Sequence, residues 1–156
     1  MINPRIDKIA KHERFKAVLA YRKMGHSVIP VGDDKKPLIA WKKCQERRAT
    51  KSELRGWWTK WPDANIGIVC GKISGITVID CDSDEAVALI ETTFLDPSKY
   101  RIARTPRGGR HYYFLYRPEL KTATKILPGI DIRNDGSYVL APPSITRLGR
   151  YEWVRP

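Results

Sequence analysis

The chain has 156 residues, 29 of them lysine or arginine against 17 aspartate or glutamate, for a formal charge of +12. That length predicts one domain, large enough to bury roughly two thirds of its unfolded surface without a disulfide or metal staple. Hydrophobic residues at 42% with charged residues at 29% exclude a disordered tail, no run approaches the ~20 apolar residues of a membrane span, and the N-terminal stretch MINPRIDKIAKHERF lacks the apolar segment of a signal peptide.

The spacing of Ile9, Phe15, Val18, Leu19 and Tyr21 predicts a helix over Lys8–Met24, with Gly25 where a C-terminal cap belongs. Ser27–Val31 reads as a short strand and Gly32–Pro37 as a basic turn. Thr50-Lys51-Ser52-Glu53 is a capping box that starts a helix carrying Leu54, Trp57 and Trp58, which Pro62 stops. Asn65–Gly71 and Ile76–Asp82 are two apolar strands separated by a Ser74-Gly75 turn, a pattern that predicts a central hairpin. Ser83–Phe94 reads as a helix with the stripe Ala86, Leu89, Ile90 and Phe94, capped by Asp82, Ser83 or Asp84. Strands follow at Arg101–Thr105, His111–Tyr116, Ile130–Arg133, Tyr138–Ala141 and Tyr151–Val154, with Pro106–Gly109 and Asn134-Asp135-Gly136 as turns, the second read as hairpin chemistry. The element order is α+β, with a mostly antiparallel sheet and helices packed on it.

The charge favours a polyanionic partner, nucleic acid being the commonest. Three scattered cysteines, Cys44, Cys70 and Cys81, form no C-x-x-C pair and suit reduced thiols in a cytosol. Asp80 and Asp82 end an apolar strand, and residues two apart on a strand project to the same side. Paired carboxylates repel unless a cation lies between them, and hard divalent ions want such oxygen donors. Alternation puts His111, Tyr113 and Leu115 on one strand face and Arg110, Tyr112 and Phe114 on the other. The arginines beside the Gly108-Gly109 turn, Arg107 included, suit phosphate oxygens. Asp131 becomes a third carboxylate for the same site if its strand lies beside the one bearing Asp80; otherwise it is a surface partner of Arg133. Lys42, Lys43, Arg47 and Arg48 form a basic run, either a solvated face or a track for a phosphate backbone. Trp57, Trp58 and Trp61 read as packing residues rather than base-stacking platforms.

Taken in order, WPDANIGI at 61–68, the strand ending Asp80-x-Asp82, GGRHYYF at 108–114 and IDIRNDGSYVLAPPS at 130–144 resemble the bifunctional primase–polymerase (prim-pol) domain of the archaeo-eukaryotic primase superfamily, found in plasmids, phages and other mobile elements. The resemblance runs from about Phe15 to Trp153. It implies an RRM-like catalytic antiparallel sheet with flanking helices and an N-terminal α/β module. It also implies a single prim-pol catalytic domain over 1–156, which can be the N-terminal part of a longer primase–helicase-type protein. The activity it implies is template-directed nucleotidyl transfer to a 3′-hydroxyl with two divalent metals per site, Mg²⁺ or Mn²⁺, on single-stranded DNA template and primer with dNTP or NTP. Asp80 and Asp82 match the family's first motif and Asp131 its third, both supplying metal ligands. His111 matches the second motif, whose histidine contacts the nucleotide's phosphates; Arg110, Arg133 and Ser144 are further candidates for the nucleotide pocket, and Lys42, Lys43, Arg47, Arg48 and Arg107 for DNA contacts. No Cys/His spacing supports the zinc insert of some relatives. A prokaryotic, plasmid or phage protein acting in the cytoplasm, away from membranes, is the expectation. Two rivals use the same residues: a metal-dependent nuclease, and a non-catalytic RRM-like binder stacking bases on Tyr112 and Phe114.

Overall fold

The computed structural model describes residues 3–156. Helix α1 (Pro4–Lys23) begins four residues before the expected start, because Asn3 caps it by accepting from the Arg5 amide and Pro4 occupies the first turn, where its missing N–H costs nothing. Its buried stripe is Arg14, Val18 and Tyr21, while Ile9 stands 62% exposed. Strand β1 (Ser27–Val31) follows, then a short 3₁₀ turn at Trp41–Gln45, and α2 (Lys51–Lys60) with the expected capping box. β2 (Asn65–Val69), β3 (Ile76–Cys81), α3 (Asp84–Thr93), β4 (Arg101–Arg104) and β5 (Arg110–Leu115) come next. The chain ends with β6 (Ala123–Leu127), β7 (Ile130–Arg133), β8 (Tyr138–Ala141), the two-residue strands β9 (Ile145–Thr146) and β10 (Gly149–Arg150), and β11 (Glu152–Arg155).

The strands form an α+β fold with two main sheets, one of three strands in the order β1-β2-β8 and one of six in the order β11-β4-β5-β3-β7-β6, all pairs antiparallel. Within the larger sheet, β3-α3-β4-β5 and β7 follow a split βαβ plan whose second crossover carries β6 rather than a helix. Two expected hairpins are absent. β2 and β3 form no ladder with each other: an isolated bridge, Gly71 with Ile76, lies just beyond β2, and the two strands belong to different sheets. β7 and β8 likewise lie in different sheets, so Asn134-Asp135-Gly136 is a crossover, not a hairpin turn. The reason is neighbour count: β2 and β3 are each interior strands, and each is satisfied by two partners from distant parts of the chain.

One core joins the two sheets. Val18 and Tyr21 of α1, Leu54 and Trp58 of α2, Ile66 and Ile68 of β2, and Val78, Ala103 and Tyr113 of the larger sheet pack together. A second cluster packs α3, through Ala86, Val87 and Ile90, on the opposite face of the larger sheet against Cys81, Ile102, Tyr112 and Ile130. The buried side of α3 is thus one step round from the expected stripe, and Phe94 is 61% exposed.

The start of α2 offers a test of local electrostatics. Arg47 donates to both oxygens of Glu53 at 2.8 and 2.7 Å, and the Thr50 amide donates to the same carboxylate at 2.8 Å. Arg47 first, then the Thr50 amide, holds the Glu53 carboxyl down at about 2. A folded pKa below the unfolded value adds stability that is present above the ordinary glutamate range near ~4.3 and is lost as pH falls towards the folded value. Glu53→Gln should therefore cost roughly 1 kcal/mol at pH 7, discounted for the exposure of the pair, and close to nothing near pH 2. Urea unfolding of both proteins at the two pH values checks this; an equal loss at both would place the cost in capping geometry instead of charge.

Candidate active site

The larger sheet brings the motif residues into one row. Asp80 on β3 lies opposite His111 on β5 and opposite Asp131 on β7, so three side chains from sequence-distant segments stand side by side on one face. Arg133 and Val78 form the neighbouring row with Tyr113. Asp82 lies just past the end of β3, where Ser83 is the residue that caps α3, accepting from the Ala86 amide at 3.2 Å. Asp82 is therefore not consumed as a helix cap.

The polar contacts are asymmetric. His111 Nε2 sits 3.3 Å from Asp80 Oδ1, and Arg133 Nη2 lies 3.5 Å from Asp80 Oδ2 and 2.7 Å from Asp131 Oδ2. The Lys125 amide donates to Asp131 Oδ1 at 2.7 Å. Asp131 thus has both oxygens engaged. Burial pushes the Asp80 carboxyl up, but His111 and Arg133 outweigh it and hold it below the usual range. Asp82 moves the other way: burial, then the charges of Asp80 and Asp131, push it up. His111 is buried, and its Nδ1 has no hydrogen-bond partner among the described residues.

Asp80, Asp82, His111 and Arg133 wall one side of a cavity of about 440 Å³ between the two sheets, and Tyr138 and Leu140 of β8 wall the other; Asp131, its oxygens taken by Arg133 and the Lys125 amide, is not part of the lining. A smaller recess of about 230 Å³ continues past Asp80 and Asp82 to Thr105 and Arg107. Lys35 and Tyr151 wall both. Sequence reading passed over these two. Lys35 belongs to the basic turn after β1, with φ +65°, and the turn is tied down by Tyr138 Oη donating to the Lys35 carbonyl at 2.7 Å and by Asp33 Oδ1 accepting from the Arg147 amide at 2.9 Å. The available signal was a basic turn leaving a strand next to an acidic site. Tyr151 packs on His111 with ring centroids 5.9 Å apart.

Other candidates stand elsewhere. Arg110 is on the α3 face of the sheet, 2.6 Å from Glu91, because adjacent strand residues point to opposite faces and His111 has the cavity side. Ser144 is fully buried and accepts from the Ile66 amide at 2.9 Å, clipping β2 in place. Arg47 is engaged by Glu53, and Arg48 Nη1 donates to the Gly25 carbonyl at 2.9 Å beyond the end of α1. Lys42 and Lys43 remain exposed on the 3₁₀ turn.

The donor set can be tested against divalent cations. Carboxylate oxygens are what Mg²⁺ or Mn²⁺ prefers, and Mg²⁺ is usually held by one or two carboxylates with substrate phosphates and water completing the shell. Among the described residues no three His, Cys, Asp or Glu side chains form a ready-made cage. Asp80 and Asp82, both on the cavity wall, with burial and then the nearby charges of Asp80 and Asp131 pushing the Asp82 carboxyl up, supply the one or two carboxylates required, so the residues fit. All three cysteines are buried and free, which leaves no thiolate cluster.

The family model for "Bifunctional DNA primase/polymerase, N-terminal" matches residues 18–156. No curated protein matches the chain. No helix among the described residues is long and apolar enough to cross a membrane.

Proposed function

The chain belongs to the bifunctional DNA primase/polymerase N-terminal family, a family of primase/polymerase-type nucleotidyltransferases, and from that premise we propose that it extends a primer 3′-hydroxyl on a single-stranded DNA template. The observation that carries the reading is Asp80, Asp82 and His111 together on the wall of a nucleotide-sized cavity between two sheets. Asp80 and Asp82 would hold two divalent cations, which when bound lower the pKa of the attacking hydroxyl and neutralise the leaving pyrophosphate.

The protein's own groups position and balance charge. His111 and then Arg133, which bridges Asp80 and Asp131, hold the Asp80 carboxyl below its usual range against the effect of burial. His111, with Nε2 at Asp80, lines the cavity and is the ring that would meet the incoming nucleotide's phosphates. Lys35 and Arg107 add two cations on the rim that suit the same phosphates. The free cysteines and the basic charge agree with a cytoplasmic protein working on nucleic acid in a prokaryotic, plasmid or phage setting.

The test is a primer–template with labelled nucleoside triphosphates and Mg²⁺ or Mn²⁺. The expected result is elongation that requires template, triphosphate and metal together. Shortening of the primer in the absence of triphosphates would instead identify a nuclease, and binding with neither reaction would identify a non-catalytic module.

A further inference from the structure

Asp80, Asp82, His111, Lys35 and Tyr151 wall both the cavity of about 440 Å³ and the recess of about 230 Å³, so they surround the neck where the two meet. The proposed reaction gives work to four of them. The Tyr151 hydroxyl has none.

Tyr151 is held from several sides. Its ring centroid lies 5.9 Å from that of His111, the side chain packs in a cluster with Val69 and Leu140, and the Tyr151 amide donates to the Ser144 carbonyl at 2.9 Å. Only 4% of the residue is exposed. Its hydroxyl makes no hydrogen bond among the described residues, yet it is not one of the unpartnered polar atoms sealed from solvent, which are Arg14 Nε, His26 Nε2, His111 Nδ1 and Tyr113 Oη. A side chain that is almost wholly buried, whose hydroxyl stays accessible and which lines these two recesses, presents that hydroxyl in the neck.

A buried phenol normally finds a partner, and at neutral pH it is a protonated donor. Lys35 shares the neck, and Arg107 stands on the wall of the smaller recess. A hydroxyl donor, an ammonium and a guanidinium round one small space suit phosphate oxygens. The larger cavity has room for a base and sugar, within the range of roughly 300–1,000 Å³ typical of ligand sites. A nucleoside triphosphate with its sugar in the cavity and its terminal phosphates by Arg107 has to pass its phosphate chain through the neck.

We propose that the Tyr151 hydroxyl donates a hydrogen bond to the phosphate chain of the bound nucleoside triphosphate where it crosses between the two recesses. Tyr151 is then a nucleotide-binding residue as well as a packing partner of His111. The proposal rests on the reading that this site takes a nucleoside triphosphate.

Tyr151→Phe tests it, because the ring stays against His111 and only the hydroxyl is lost. The full chain and the variant are titrated, with Mg²⁺ and without DNA, with thymidine triphosphate and with inorganic tripolyphosphate. The variant should bind both roughly tenfold more weakly, the loss expected for one hydrogen bond to a charged oxygen. Binding of Mn²⁺ alone, read by electron paramagnetic resonance, should stay within about twofold. A loss confined to thymidine triphosphate puts the hydroxyl on the sugar or base, and a parallel loss of Mn²⁺ puts it on the carboxylates. Either result overturns the proposal, as does a loss below about threefold for both ligands. Primer elongation by the unaltered protein is scored separately. Elongation, with Tyr151→Phe binding both ligands normally, sinks the contact and leaves the polymerase. Binding that depends on Tyr151 without elongation does the reverse, and an unaltered protein that binds neither ligand overturns both.

Discussion

Asp80→Asn should abolish nucleotide incorporation, lowering the rate by at least about a thousandfold, or roughly 4 kcal/mol of transition-state stabilisation. The substitution keeps the shape and removes the charge. Asp80 occupies the centre of the row, with His111 Nε2 at 3.3 Å on one side and Arg133 Nη2 at 3.5 Å on the other. Neutralising it removes a cation ligand, releases His111 and leaves Arg133 serving Asp131 alone. The fold should survive, because the side chain lies at the edge of an open cavity and not in the core. His111→Ala is the contrasting variant: losing a hydrogen bond to a charged phosphate costs roughly 1.5–3 kcal/mol, a fall of about one to two orders of magnitude in triphosphate affinity. Primer extension and triphosphate titration of the two variants separate these roles. Residual incorporation by Asp80→Asn within about tenfold of the unaltered protein would remove Asp80 from the metal-binding role.

The second large effect is on stability. Gly109 is buried in the turn between β4 and β5, and a Cβ there would run into the Cys81 carbonyl oxygen and lie 2.9 Å from Thr105 Oγ1. Both neighbours are held, Cys81 by its strand and Thr105 by its amide bond to the Gly109 carbonyl at 2.9 Å. Gly109→Ala should therefore cost about 3 kcal/mol or more, a melting temperature roughly 6–12 °C lower for a domain of this size. Gly56, inside α2 with nothing within 4 Å of a built Cβ, is the control. Gly56→Ala makes the same chemical change and should raise stability by about 0.5–1 kcal/mol through helix propensity. A Gly109→Ala melt within about 2 °C of the unaltered protein would show that β3 and β5 can part at this end without cost.

What the sequence made legible was whatever depends on neighbours in the chain. The capping box at Thr50, the alternation along β5 and the strand-end carboxylates are local patterns, and each is present. Strand partners are not local. The two hairpins read around Ser74-Gly75 and Asn134-Gly136 rest on proximity in sequence, and both dissolve because β2 and β8 pair with each other while β3 takes β5 and β7. The placement of Asp131 beside Asp80 followed from a stated condition on strand order, which the β3–β7 register meets. Arg110 was legible and overlooked: the alternation that puts His111 at the cavity also puts Arg110 behind it. Asn134 was read as turn chemistry, yet it is fully buried and donates from Nδ2 to the Arg117 and Leu120 carbonyls at 2.8 and 2.5 Å. No local pattern distinguishes an exposed turn asparagine from one that secures a loop more than ten residues away. Lys35 and Tyr151 enter the site from opposite ends of the chain, and only the folded sheets bring them together.

The chain passes between the two sheets at Cys70–Gly75, at Asn134–Ser137 and once more through β9 and β10 on the way from β8 to β11, and the first two passages are fastened to each other. The Cys70 amide donates to the Ser137 carbonyl at 2.9 Å, the Lys72 amide donates to Asp135 Oδ1 at 2.9 Å, and Gly71, at φ +90°, lies so close to Asp135 that a side chain there would have no room. Bare connectors would act as a hinge, letting the walls of the cavity beside Asp80 swing apart. Fastened connectors act as a spacer that sets the gap between Asp80 and β8 before any ligand arrives. On the proposed reading, selection of a nucleotide by size is then a fixed-gauge property of the protein before binding, and adaptation falls to the Lys35 turn, a cavity wall held by loop contacts instead of a ladder.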